Sequence, residues 1–97
     1  NVIGRSLNND PEDAKLIKQY INIAFSAFEW DEVIRGIKKA DEAGLKDDGK
    51  FALMKGIAYF EKKSITNAKN SFIEASNSKE YKDQGIAWLE YLEALNG

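Results

Sequence analysis

Apolar side chains recur at helical spacing along most of the chain, and this pattern predicts five helices. The first predicted helix begins at "NDPED", where Asp10 can cap free backbone N–H groups and Pro11 fits the first helical position. Glu12 and Asp13 suit the positive end of the helix dipole. Residues 1–9 lack a clear period and are predicted to be a leading segment. The apolar positions of this first helix are Ile17, Tyr20, Ile21, Ala24, Phe25 and Phe28.

Two further helices are separated by short breaks. The second is predicted from about Trp30 to Ala43, with Gly44 ending it as a left-handed cap. The third follows the break "LKDDGK", where Asp47 or Asp48 can act as the cap, and runs to about Glu61.

The last two predicted helices complete an all-α pattern. The fourth starts at Ser64, and the terminal helix spans about 79–95. Asn77 and Glu80 resemble a capping pair in the break between them. No stretch alternates like a strand, so the predicted fold class is all-α.

Small and aromatic residues alternate at fixed offsets within "GIAYFEKKSITNAKNSFIEA", residues 56–75. This spacing resembles the tetratricopeptide repeat (TPR), a helix–turn–helix unit of about 34 residues, and places one repeat at 49–82. The segment departs from the pattern at Ala52, Lys55 and Glu80, where Trp, Leu and Pro are usual. The matching positions are Gly56, Tyr59, Ala68, Phe72 and Ala75.

The physical basis of this pattern is close packing of two antiparallel helices. Small residues at Gly56, Ala68 and Ala75 let the helices approach, and Tyr59 and Phe72 fill the remaining wedge. A helical glycine costs about 1 kcal/mol relative to alanine, so close packing must compensate for it. We therefore predict that these five residues pack the repeat.

A weaker copy of the repeat covers residues 14–47, in phase with the stronger copy. The copy is found when residues 30–33 are aligned with residues 65–68. An alternative helical bundle could place small residues at the same positions, but the in-phase neighbour favours a repeat. The equivalent residues are Ile21, Ala24, Val33, Ile37 and Ala40.

The TPR resemblance implies a solenoid, with a domain over 10–97. We expect a right-handed α–α superhelix of about two TPR helix pairs, followed by a terminal capping helix. Because repeat architectures seldom stop at two units, we interpret the chain as a fragment of a longer protein. Trp30, Trp88 and Tyr91 are predicted to be core or cap anchors.

The C-terminal half resembles a narrower group. The stretches "AGLKDDGKFALMKGIAYFEKKSITNAKNSF" and "SKEYKDQGIAWLEYL" are similar to the last repeats of a bacterial TPR family associated with TonB/ExbB/ExbD energy-transduction systems. The resemblance implies an exported, envelope-associated or periplasmic accessory scaffold. Without it, a cytoplasmic location is expected.

Composition narrows the function class. The 97 residues suit one domain, and 14 basic and 16 acidic residues are interspersed, so a nucleic-acid-binding face has little support. No long apolar run predicts a membrane-inserted segment. The absence of cysteine and histidine excludes thiolate nucleophiles and histidine bases. Acidic neighbours such as Asp31 and Glu32 splay on a helix, so we predict no enzyme, metal or cofactor.

A protein or peptide partner is therefore expected on the inner face, formed by the first helix of each pair. Lys18 and Asn22 match two positions of a carboxylate clamp, but Met54 replaces its next Asn, so the clamp is incomplete. Alternatives stay open: Lys18 and Asn22 are solvated surface residues, and neighbouring helices cover the apolar Leu53, Ile57 and Phe60. The whole chain can also be a purely structural stacking segment without a ligand. The predicted peptide-binding residues are Lys18, Asn22, Phe25, Leu53, Ile57 and Phe60.

Overall fold

The computed structural model describes residues 11–45 and 49–96, and side chains over 14–45 and 49–95. This part of the chain is helical and contains no strand, which confirms the all-α fold class. The predicted leading segment and the candidate caps Asp10, Asp47 and Asp48 lie outside the described residues. The helices are α1 (Pro11–Ser26), α2 (Trp30–Glu42), α3 (Lys50–Glu61), α4 (Ile65–Ser76) and α5 (Lys82–Asn96).

The helices belong to two units, Asn1–Lys46 and Asp47–Gly97. In the first unit, α1 packs against α2 as a hairpin. In the second unit, α4 packs against both α3 and α5. The superhelical stacking of helix pairs stays a prediction.

Three of the described helices end in the same hydrogen-bonded motif. The N–H groups of Glu29, Leu45 and Ser64 each donate to a carbonyl five residues earlier, at 2.9–3.0 Å. This is the Schellman arrangement, which requires a left-handed residue just before the donor. Gly44 fills that position after α2, as predicted, with φ 75°. The equivalent residues after α1 and α3 are not glycines but Phe28 and Lys63, with φ 61° and 67°.

Helix starts depart more from the sequence-based expectation. The N-cap of α3 is Gly49, with φ 103°. Ser64 is the N-cap of α4, although its side chain makes no capping hydrogen bond. Asn77 is the C-cap of α4, so it serves the end of one helix and not the start of the next. The terminal helix accordingly begins at Lys82, after a turn in which the Tyr81 N–H donates to Ser78 Oγ at 3.3 Å.

The second helix of each hairpin buries the same four positions. In α2 these are Val33, Gly36, Ile37 and Ala40, and in α4 they are Ala68, Ser71, Phe72 and Ala75. Each residue of the second set lies 35 positions after its counterpart, which is the shift that aligns 30–33 with 65–68. The burial pattern thus gives the fold a helical-repeat character.

Candidate peptide-binding surface

Gly56 of α3 packs directly against the Phe72 side chain of α4. A Cβ atom built on Gly56 would lie 2.5 Å from Phe72 Cε1 and 2.6 Å from Cδ1, so no larger residue fits without displacing the ring. Ala68 and Ala75 are fully buried, and Tyr59 is partly buried against the core. The small residues of the predicted packing set are therefore all buried, and at Gly56 an added side chain would displace the Phe72 ring.

Phe72 connects this contact to the third helix of the unit. The Phe72 ring is fully buried and stacks on the indole of Trp88, with centroids 4.9 Å apart and planes at 6°. The Phe72 ring of α4 thus contacts both the backbone at Gly56 of α3 and the indole of Trp88 of α5. We call this arrangement the Gly56–Phe72–Trp88 stack.

The predicted binding residues of the second unit all lie on α3 and are half-buried. Leu53, Ile57 and Phe60 pack against the core cluster built around Phe72. Phe60 also reaches α5, because its ring centroid lies 5.4 Å from that of Trp88. A neighbouring helix of the same unit therefore covers part of this apolar strip.

An open hollow remains where α3 meets α5. It has a volume of about 290 Å³ and is lined by Phe60, Ala87, Trp88 and Tyr91. The rings meet edge to face, with planes at 60° to 85° and centroids 5.4–5.7 Å apart. Tyr91 is 49% exposed at the rim. This hollow, the aromatic depression, offers uncharged ring surfaces suited to an apolar side chain.

The predicted binding residues of the first unit lie on α1. Lys18 and Asn22 are exposed. Phe25 is half-buried, and its ring packs edge to face on Trp30, with centroids 5.5 Å apart. Phe25 thus contributes to its own hairpin, while the two polar side chains are accessible to solvent.

A polar network also links α1 to α2. The Tyr20 hydroxyl donates to the Glu32 carboxylate, and Arg35 Nη1 lies 3.2 Å from Glu32 Oε2. The hydrogen bond to Glu32 raises the pKa of Tyr20, and desolvation and the negative charge of Glu32 act in the same direction. The positive charge of Arg35 opposes this rise.

Sequence reasoning missed two features of the site. Ala87 and Tyr91 line the hollow together with Trp88, and the Tyr91 ring meets Phe60 of α3 there, which makes Tyr91 part of a surface rather than an anchor alone. Gly85 packs α5 directly on the α4 backbone, since a Cβ there would lie 2.6 Å from Ser76 N. A glycine inside an apolar helix was the available signal, because it costs about 1 kcal/mol of helix propensity.

One departure from the repeat pattern has a local explanation. Lys55 stands where the TPR pattern usually has Leu, and its Nζ lies 3.8 Å from Glu74 Oε1 on α4. The long side chain thus crosses to the neighbouring helix and replaces an apolar contact with an ion pair at the edge of the seam.

The described residues form neither a metal-binding cluster nor a membrane-spanning helix. No group of three or more acidic side chains in 14–45 and 49–95 is arranged to hold a metal ion. Each described helix is too short or too polar to cross a bilayer.

Comparison with known proteins finds no matching family model, curated protein or solved structure. The TPR resemblance and the narrower envelope-family resemblance therefore stay predictions that rest on this chain's own residues.

Proposed function

We propose that this chain is a noncatalytic protein–protein interaction module of the TPR type. It binds a peptide or a helix through the face that the first helices of its pairs present. In the second unit that face includes the aromatic depression, with Leu53 and Ile57 continuing the apolar strip along α3.

The observation that carries this proposal is the open depression beside Phe60. Aromatic rings that are fixed by packing provide contact area at little cost in conformational entropy, because few side-chain torsions are left to order. Trp88 is held by the buried Phe72 ring, and Phe60 is held by the core, so the floor of the depression is preorganised. Such a floor suits a single apolar anchor of a partner, with the rest of the peptide lying along α3.

The clamp residues favour a partner that does not depend on a terminal carboxylate. Lys18 and Asn22 are exposed on α1, and Met54, at the next clamp position, is buried. A buried thioether offers no donor to an anionic end group. Recognition through internal apolar side chains is the mode that remains.

The half-burial of Leu53 and Ile57 favours a second candidate function. Both side chains pack on the core of their own unit, as they would in a purely structural stacking segment without a ligand. The two functions differ at the rim of the aromatic depression. A binding module contacts its partner through the exposed rings there, whereas a structural segment does not require exposed rings.

Selection from a displayed library of random peptides tests the proposal directly. We expect enriched peptides to bind the chain and to lose about tenfold or more in affinity for Ala87→Arg, which fills the depression from its exposed side. Tyr91→Ser should weaken binding as well. Ala27→Arg, at an exposed alanine of the first unit, is the matched control and should bind like the unmodified chain.

Fluorescence provides an independent readout. The chain has two tryptophans, so Trp30→Phe leaves Trp88 as the sole indole emitter. Peptide binding should then change the emission of Trp88. Peptides that bind Ala87→Arg as tightly as the parent, or a library that yields no binder, would overturn the proposal and favour the stacking segment.

A further inference from the structure

Two apolar surfaces lie outside the aromatic depression, and the first is on α1. Leu16, Tyr20 and Ile23 follow helical spacing on one face and are 42% to 69% exposed. A hollow of about 380 Å³ beside them is also lined by Arg35 and Lys39 of α2. We call Leu16, Tyr20 and Ile23 the α1 stripe.

The second surface is a groove between α4 and α5 of the other unit. Its volume is about 470 Å³, and its apolar lining includes the exposed Ile73 and Ile86. Glu90 and Glu93 line the same groove, with Lys69 as a cation among them. We call this surface the α4–α5 groove.

The two surfaces are complementary in shape and in charge. The stripe is carried by a single helix, whereas the groove lies between two helices, so the stripe can enter the groove as a ridge. Arg35 and Lys39 line the hollow beside the stripe, and because Arg35 is paired with Glu32, Lys39 supplies the remaining positive charge. Two of the three charged residues that line the groove are anions. Opposite charges around apolar centres favour one register of docking.

The repeat itself shows that this helix face is built for packing. The α3 residues 35 positions after Leu16 and Ile23 are Phe51 and Ala58, and both are buried. The same face is therefore covered in the second unit and open in the first. A helical surface packed on the α1 stripe would bury this face in the first unit, as it is buried in the second.

We propose that the α1 stripe of one copy docks into the α4–α5 groove of a second copy, head to tail. The contact is heterologous, so in a pair of copies one stripe and one groove stay unoccupied. Such contacts extend into open chains unless the rotation closes a ring. The assembly should weaken with added salt, because the charged residues at its rim are exposed.

Sedimentation velocity of the 97-residue chain over a wide range of concentrations tests the proposal. We expect the mean mass to rise with concentration at low salt and to fall when salt is added. Leu16→Glu with Ile23→Glu should leave only monomer, and so should Ile73→Lys with Ile86→Lys. Circular dichroism should show native helix content in both variants, and Glu90→Lys with Glu93→Lys replaces the second variant if it fails to fold.

Mixing the two variants distinguishes head-to-tail docking from other contacts. The variant with the altered stripe keeps its groove, and the variant with the altered groove keeps its stripe. Each should be monomeric alone, and the mixture should form a dimer that grows no further. A symmetric stripe–stripe or groove–groove contact would leave one variant dimeric by itself and would overturn the proposal.

A parent chain that is monomeric at every concentration would also overturn it. Ala87→Arg separates this proposal from peptide binding, because it blocks the aromatic depression and leaves both docking surfaces intact. It should assemble like the parent chain, whatever its effect on peptides.

Discussion

The two hairpins bury the same positions of their second helices but place the close-contact glycine on opposite sides of the seam, which is the contact between the two helices of a hairpin. In the second unit the glycine is on the first helix, where Gly56 faces the Phe72 ring. In the first unit it is on the second helix, where a Cβ on Gly36 would lie 2.8 Å from Ile21 Cγ1. Each seam thus pairs one large side chain with one absent side chain.

The seam therefore constrains a pair of facing residues and not a single position. The summed volume of the two facing residues is what close packing limits. A pattern that expects glycine on the first helix identifies the second unit and hardly detects the first. The residues that face these glycines also differ in their surroundings. The Phe72 ring is enclosed by Trp88, whereas Tyr20, which lies beside Gly36 together with Ile21, is partly exposed.

Replacing Gly56 and Gly36 with alanine should destabilise the two seams unequally, and this is the largest effect on stability that we expect. Gly56→Ala places a methyl group against an enclosed ring, so we expect the free energy of unfolding to fall by about 1–3 kcal/mol. Gly36→Ala should cost less, because its new methyl group would lie 2.8 Å from the nearest atom, Ile21 Cγ1, and not 2.5 Å as at Gly56. Urea denaturation followed by circular dichroism measures both values.

A double variant sharpens this test. Phe72→Leu removes part of the ring that the new methyl group meets, so Gly56→Ala should cost less in that background than in the parent. Equal costs in both backgrounds, or a Gly56→Ala variant as stable as the parent chain, would show that the seam does not depend on the missing side chain.

The left-handed residues that end α1 and α3 provide a second, smaller contrast. Lys63→Gly relieves a conformation that costs a non-glycine residue roughly 1–2 kcal/mol, so the free energy of unfolding should rise by about 1 kcal/mol. Phe28→Gly should gain less, because it also removes the contact between Phe28 and Trp30, whose centroids lie 5.7 Å apart. Thermal and urea denaturation measure both changes.

Gly44 supplies the matched control for these variants. A Cβ on Gly44 would meet no atom within 4 Å, so Gly44→Ala tests backbone conformation without a steric clash. It should destabilise the chain, opposite in sign to Lys63→Gly. The strain interpretation fails if Lys63→Gly and Gly44→Ala change stability in the same direction.

The smallest expected effect concerns pH and is confined to the first unit. The pKa of Tyr20 is raised by its hydrogen bond to Glu32, so the folded state holds this proton more tightly than the unfolded state. The corresponding stability is present below the ordinary tyrosine pKa of about 10 and is lost as the pH rises through the folded-state value. Tyr20→Phe should therefore flatten the decline in stability above about pH 10.

Denaturation at several alkaline pH values, with tyrosinate absorbance recorded in parallel, provides the measurement. The three other tyrosines remain in the variant as an internal reference. If stability declines at alkaline pH as much in Tyr20→Phe as in the parent chain, the hydrogen bond between Tyr20 and Glu32 does not contribute to that decline.

Local signals predicted much of the secondary structure. Pro11 begins α1 and Gly44 ends α2, because each residue type suits the backbone conformation at that point. Ser64 precedes α4 as predicted, although its side chain makes no capping hydrogen bond. The start of α5 was misplaced because Asn77 suits either end of a helix, and the end of α4 uses it. Such a choice depends on how far the preceding helix continues, which local propensity does not determine.

The candidate surface was less predictable than the helices. Phe60 was expected at a binding face from its place on α3, but Trp88 and Tyr91 were expected to be anchors. Their place beside Phe60 depends on how α5 packs against the rest of the unit, and Gly85 lets α5 touch the α4 backbone. Contacts between residues far apart in sequence decide this packing, and no local pattern encodes it.

The Gly56–Phe72–Trp88 stack gives the interior and the exterior of the second unit a common wall. A core substitution that tilts the Phe72 ring must also tilt the indole on which a ligand would rest. Under the proposed function, a substitution at position 56 would therefore change both the folding stability and the affinity for a partner without altering any solvent-facing residue.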